Sequence, residues 1–354
     1  MKRTKLLVSI VLLFFVVSFV YAEGTKEKKA GVSKPRVLTV STWGYNMDLL
    51  DKNITIPFEK KYNVKIVYEK GNNSSRFTKL VARKKNPIVD VVHFAGNYTY
   101  KAIQEGLLQP YDPAKLPNLK DLYKWAQDPL GDRYGVGYAV SHYGLFYRTD
   151  KVSKPITSWK DLWRPELKGY LTLPDITTTN GPATIVLIAR AWGGDENNVD
   201  IAWKKLALLK NSLVNTYRRS SELTTMVKQG EVWVAPYASF AWGNLLKTGY
   251  PLKAVIPKEG LVGFMSVVSI VRGSKNVDLA HKYINFLISK EVEQAEAMDL
   301  VDSPTNTKVK VPANIASKLT YGEKIINSLI FLDQKKLASL QAEWINKWNS
   351  IMSE

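Results

Sequence analysis

The sequence predicts an α/β fold built on mainly parallel sheets, with enough chain for two lobes. Three observations carry this expectation. Short β-rich runs alternate with helical stretches of 10–15 residues, the pattern of βαβ units. Apolar residues make up 45% of the chain, and 11 Phe, 10 Trp and 18 Tyr supply ample core volume. About 330 of the 354 residues remain once an N-terminal leader is set aside, enough for two lobes of ordinary domain size.

The elements follow in order. Val37 to Ser41 is the first strand, and a helical stretch runs from about Met47 to Tyr62. Val64 to Tyr68 is a second strand, followed by a helix near Ser75 to Lys85. Ile88 to His93 is a third strand, with a helix near Tyr98 to Glu105 behind it. Ser158-Trp-Lys-Asp161 fits a capping box, in which the Ser hydroxyl accepts from first-turn amides and the acid reaches back. Asn180-Gly181-Pro182 opens the apolar run Ala183 to Ala191, where an early proline suits a helix start, and Gly193-Gly194 closes it. Ser221 opens a helix through Lys228, and Gly230 ends it before a strand over Glu231 to Pro236. Val277 to Ile288 has helical spacing, and Leu337 to Ile351 reads as an amphipathic closing helix.

The N-terminus specifies export. Lys2, Arg3 and Lys5 precede an uncharged run from Leu6 to Val20, which closes on Val20-Tyr-Ala22 with small residues where a signal peptidase cuts. The run is about 15 residues, short of the roughly 20 a spanning helix needs, so a cleaved signal over 1–22 is favoured over an uncleaved anchor. No Cys follows it, so no lipid is attached there. Residues 23–36 read as a flexible leader. The expected location is the periplasm or the extracellular space.

The chain has no cysteine. Thiol nucleophiles, Cys-ligated zinc, iron–sulfur clusters and disulfide scaffolds are therefore excluded. Its formal charge is +18, or about +15 without the signal. The lysines are scattered and the longest basic clusters, Lys26 to Lys29 and Arg83-Lys-Lys85, are short. A solvated basic surface near an anionic membrane explains them better than nucleic acid, which is not expected as a partner.

No catalytic signature is present. Among three histidines, His281 lies on a helix and His93 ends a strand, where it is a candidate site residue. There is no nucleophile elbow, zinc motif, Walker loop or dinucleotide fingerprint, and no carboxylate pair is singled out by spacing. The chain is read as a non-enzyme without cofactor or metal. The segments after the strands point instead to binding: Ser41-Thr-Trp-Gly-Tyr45, His93-Phe-Ala-Gly-Asn-Tyr98, Asp175-Ile-Thr-Thr-Thr-Asn-Gly181 and Pro236-Tyr-Ala-Ser-Phe-Ala-Trp242. Each draws on an aromatic residue, a hydroxyl or amide, or a flexible Gly, a mix that suits a cleft at the carboxyl ends of strands that grips a small polar solute.

The chain resembles the extracellular solute-binding proteins of ABC importers, in their spermidine/putrescine-binding branch. The resemblance spans most of the mature chain and is most specific at Thr157-Ser-Trp-Lys-Asp-Leu-Trp-Arg-Pro-Glu-Leu-Lys-Gly169, Gly230-Glu-Val232, Pro257-Lys-Glu-Gly260, Ile284-Asn-Phe-Leu287 and Ser303-Pro-Thr-Asn306. It implies two α/β lobes joined by a hinge, 37–140 plus 265–305 and 141–264 plus 306–354, with the solute buried between them on closure. It also implies a partner permease in the inner membrane and a monomeric receptor.

The resemblance carries over the aromatic at Trp43 and the aromatic character of Asn97 and Tyr98. Where polyamine binders hold ammonium groups with carboxylates, this chain has Ile176, Thr179 and Ser266, beside Phe264. An ammonium buried without a carboxylate costs on the order of several kcal/mol. Thr177, Thr178, Thr179 and Asn180 lead into a helix start that favours an anion, and Ser41, Thr42 and Ser266 add donors. The expected solute therefore has a carboxylate or phosphate-like group, or is zwitterionic, with its apolar part on Trp43, Tyr98 or Tyr237. Polyamine binding despite the replacements is the main alternative. An exported enzyme or a signalling receptor on the same scaffold follows, and a ferric-ion site is disfavoured because no Tyr-Tyr pair occurs.

Overall fold

The computed structural model describes residues 35–353, so the signal and leader expectations lie almost wholly outside the described residues. Strand β1 (Arg36–Thr42) pairs in parallel with β2 (Val64–Lys70) and with β3 (Val91–Ala95). All five residues of β3 are buried, as expected of a strand covered on both faces. The helical stretch between β1 and β2 is interrupted by a π-helical turn at Asp51–Thr55, which buries Asn53, Ile54 and Thr55. The helix after β2 spans Asn73–Ala82 and starts ahead of the expected Ser75, because the Asn72 side chain accepts from Ser75 N at 2.9 Å and caps it.

Two long strands, β5 (Val136–Arg148) and β10 (Val262–Val271), run antiparallel through the middle of the sheet. The order is β2-β1-β3-β10-β5-β8-β6-β7, with β6 at Leu171–Pro174, β7 at Leu213–Tyr217 and β8 at Val234–Ala238. The short strands β4 (Leu108–Gln109), β9 (Leu252–Val255) and β11 (Ser303–Pro304) pair with β10, β5 and β5. The sheet is thus mixed: its flanks are parallel and its centre is antiparallel.

The antiparallel strands join two cores. One holds Leu38, Val40, Phe58, Val91, Ala139, Val268 and Tyr283. The other holds Tyr143, Leu145, Trp159, the Gly181–Ala191 helix, Trp203, Val262 and Trp344. Strand β5 therefore leaves one core at Ala139 and enters the other at Tyr143. Strand β10 makes the return crossing, with an irregularity in register at Ser266/Val267. Two strands shared by two cores form the kind of connection that lets one half rotate against the other.

The Ser158 capping box is present, although it starts a 3₁₀ turn at Trp159–Trp163 rather than a full helix. Glu259 reinforces it from a distance, accepting from Ser158 Oγ at 2.5 Å and Trp159 N at 3.0 Å. Gly230 follows the Ser220–Lys228 helix with φ +80°, a left-handed conformation that glycine adopts without strain. The C-terminal helix spans Gln334–Ser353. Among the described residues, no helix is long and apolar enough to cross a membrane.

Candidate functional site

The strand ends on the two sides of the crossing face each other. On the first side, β1 ends at Thr42 and β3 at Ala95; on the second, β6 ends at Pro174 and β8 at Ala238. The loops beyond them touch. Asn73 Nδ2 donates to Thr179 Oγ1 at 2.7 Å. Asn244 Nδ2 donates to Tyr45 Oη and to Asn46 Oδ1, both at 2.7 Å, and the Tyr45 and Phe240 rings meet edge to face at 5.8 Å. These contacts outline a nearly shut crevice.

Trp43 stands half-buried at its edge, with the Arg76 guanidinium 4.9 Å from the ring centroid. Ser41 and Thr42 are buried below it, and the Ser41 hydroxyl has no hydrogen-bond partner. On the opposite wall, Thr177 N and Oγ1 both donate to Asp175 Oδ1. Thr178 Oγ1 donates to Asp175 O at 2.7 Å and accepts from Gly181 N at 3.1 Å. Asn180 is buried, and its carbonyl accepts from Thr184 N at 3.0 Å. Much of the donor capacity before the Gly181–Ala191 helix is thus spent on the protein's own Asp175, which also lies 3.5 Å from Arg218 Nε. Thr179 keeps its hydroxyl at the crevice, joined to Asn73.

Phe264 and Ser266 are half-buried on β10, with Ser266 paired to Ala95 and Ala139. Asn97 is buried in the first turn of the Gly96–Gln104 helix. Three other expected residues turn into cores. The His93 ring lies edge-on to Tyr138 and Tyr283, with Nε2 3.2 Å from Tyr283 Oη; burial, aided by the Arg76 charge, pulls its pKa down to about 3. Tyr98 packs on Phe77 and Phe94, and its hydroxyl accepts from Gln341 Nε2 at 3.0 Å. Tyr237 is 2% exposed among Phe146 and Trp242. Ile176 is likewise a core residue, 1% exposed. His93 and Tyr237 lie on strands, where a one-residue step switches a side chain between the crevice and the layer beneath, whereas Tyr98 lies on the Gly96–Gln104 helix with its ring turned to the core.

Two residues that sequence reading missed are central to this geometry. Arg76 is fully buried, and its charge lies at the carboxyl ends of β1 and β3. His142 sits on β5 at the crossing, with Nδ1 2.8 Å from Thr320 Oγ1 and Nε2 3.4 Å from Tyr237 Oη; burial lowers its pKa to about 4. The only sequence signal for Arg76 is its place in the first turn of a helix that directly follows a strand. Among the described residues, no group of three His, Asp or Glu is arranged to hold a metal ion.

The Thr177–Gly181 turn depends on the absence of a side chain at Gly181. A Cβ there would lie 2.5 Å from Ile176 Cα and 2.6 Å from Asp175 O, both backbone atoms that cannot swing aside. Gly181→Ala is expected to cost roughly 1–3 kcal/mol and to displace Thr179 from the crevice wall. Thermal unfolding and a weaker response to solute would check it.

Residues 86–324 match the model of a family described as bacterial extracellular solute-binding protein. A putrescine-binding periplasmic protein of Pseudomonas aeruginosa, SpuD, is 27% identical over 311 residues, covering 82% of this chain and 83% of that protein. A solved ABC transporter structure from Clostridium perfringens is 36% identical with TM-score 0.73, covering 89% of this chain and 99% of that one. The periplasmic binding protein AfuA from Actinobacillus pleuropneumoniae, solved with fructose-6-phosphate bound, is 25% identical with TM-score 0.73, covering 91% and 99%.

Proposed function

The chain belongs to the bacterial extracellular solute-binding protein family, as the solute-binding component of an ABC transporter, and we propose that its cargo is a small solute bearing a carboxylate or phosphate-like group. The solute occupies the crevice between the β1/β3 and β6/β8 strand ends, closure buries it, and a membrane permease receives the closed form. The receptor acts as a monomer, and no bond of the cargo is changed.

One observation supports this reading above the others. At the positions where a polyamine binder would need carboxylates, Thr179 and Ser266 offer hydroxyls and Ile176 is packed in a core. Asp175, the neighbouring acid, is already held by Thr177 and faces Arg218. An ammonium entering here would lose its water without gaining a counter-charge.

The expected lobes meet at the β5 and β10 crossings. We place the final crossing between Thr320 and Leu332 rather than at 306. Thr305 N and Asn306 N donate to Glu293 at 2.7 Å, and Thr307 N donates to Asp121 O at 2.9 Å, all on the first half; Thr320 reaches His142 at the crossing, and Leu332 joins the second core.

Isothermal titration of the purified chain against spermidine, putrescine, small organic acids and sugar phosphates tests the reading. Saturable binding of an acid or phosphate ester, without polyamine binding, is expected. Tight spermidine binding with no response to any acid would overturn it.

A further inference from the structure

The Arg76 guanidinium has five N–H donors. Nε donates to Gly71 O at 2.9 Å, Nη1 to Ser41 O at 3.2 Å and His93 O at 2.6 Å, and Nη2 to Asn73 Oδ1 at 3.1 Å. One N–H of Nη2 is left over. The group lies between the Trp43 and Phe94 rings, 4.9 Å from each centroid, and forms no ion pair with a carboxylate among the described residues. The side chain is 0% exposed. Carbonyl dipoles and, at longer range, the Glu69 carboxylate that pairs with Arg83 offset part of its charge, but a buried arginine with no directly bonded counter-ion is a costly arrangement. Burial pulls its pKa down to about 9.

The direction of the spare donor matters. The other Nη2 hydrogen goes to Asn73, and Asn73 itself extends Nδ2 to Thr179 on the opposite wall. The sequence Arg76, Asn73, Thr179 is therefore a continuous polar path from a buried positive charge to the crevice. Trp43 covers one side of it.

We propose that Asn73, Arg76 and Thr179 form the subsite that receives the anionic group of the solute. The carboxylate or phosphate takes the free Arg76 N–H and the Asn73 amide, replacing the Asn73–Thr179 contact, and becomes the directly bonded counter-ion that the guanidinium lacks. The same charge repels ammonium groups, so Arg76 sets the sign of the cargo. This inference rests on the anionic-cargo reading above and adds the residues that carry it.

The test uses the purified chain with inorganic phosphate, citrate, fructose 6-phosphate and spermidine as probes, followed by titration calorimetry and thermal unfolding. Arg76→Met should weaken the bound anion roughly 30- to 100-fold, the loss of a charged hydrogen bond, and Arg76→Lys should recover part of it. If Arg76→Met disrupts folding, Asn73→Asp replaces it: a carboxylate beside Arg76 should hold or raise the melting temperature while abolishing anion binding. Wild type that binds an anion, with folded Arg76→Met or Asn73→Asp binding it equally well, would overturn the subsite and leave the cargo class standing. Wild type that binds spermidine and none of the anions would remove both.

Discussion

Replacing Glu296 by glutamine should make the protein markedly more stable at pH 8, with the gain over the wild type growing between pH 5 and 8. Glu296 is 4% exposed, and its Oε1 is buried with no hydrogen-bond partner. It shares a small cavity with Ile54, Tyr138, Glu293 and Asp302. Burial first, and the Asp302 charge second, raise its pKa from 4.5 to about 8; burial raises Asp302 from 3.8 to about 6. Lys52 and Asn53 are both bound to Asp299, so no cation is committed to Glu296. Below pH 4.5 the acid is protonated in both states and has no effect on the balance. Between about 4.5 and 8 the unfolded chain ionises while the folded chain keeps its proton, so stability falls as pH rises. At about 1.4 kcal/mol per pH unit, the window amounts to about 4–5 kcal/mol. His93 and His142, held below the ordinary 6.5 in the fold, make both proteins more stable as pH rises toward 6.5, so the contribution of Glu296 is read from the difference between the two curves. Thermal unfolding from pH 5 to 8 should show the gap between the two proteins widening, with Glu296→Gln higher at pH 8 by on the order of 5–10 °C. Parallel curves for the two proteins would refute the assignment.

The local signals in the sequence were sound where structure is made locally. Strands β1 and β2, the Gly181–Ala191 helix and the Val277–Leu287 helix follow periodicity and punctuation closely. What periodicity did not reveal was the centre of the sheet. Val136 to Arg148 contains Gly137 and Gly144, which read as breakers in a strand. In the fold they are points of close approach: a Cβ on Gly137 would lie 2.3 Å from Met265 Sδ, and one on Gly144 would lie 2.6 Å from Leu261 Cδ2. The partner strand is more than 100 residues away, so no local pattern announces the antiparallel pairing that joins the two cores.

The site was legible in its loops and not in its charge. Composition alone marked Trp43 and the Thr177–Asn180 segment, because strand-end loops rich in hydroxyls and aromatics are visible in one dimension. Whether His93 or Tyr237 faces the crevice depends on a single step of register, and whether Tyr98 does depends on its side of a helix, neither of which composition sets. Arg76 was invisible for a different reason. Its meaning comes from carbonyls of Ser41, Gly71 and His93, backbone groups that carry no sequence signature.

Trp344→Ala should produce a loss of similar size through packing. Trp344 is 3% exposed and meets Trp203 edge to face at 5.9 Å in the second core. Truncating a buried tryptophan removes its apolar area from the core and leaves a cavity, about 3–5 kcal/mol together. The consequence reaches the first half, because the same helix places Gln341 against Tyr98 Oη and Lys101 Nζ on the Gly96–Gln104 helix. Gln341 is 9% exposed, so this is a buried polar contact between elements on either side of the crossing strands. Loosening the helix should therefore release Gly96–Gln104 as well, seen as faster amide exchange there than in β1. Gln341→Ala separates the two effects: it leaves the second core intact and strands one buried hydroxyl, with an expected loss of about 1–2 kcal/mol and the same local rise in exchange. If Trp344→Ala melts like the wild type, or if exchange in Gly96–Gln104 is unchanged in both variants, the C-terminal helix does not tie the two halves together.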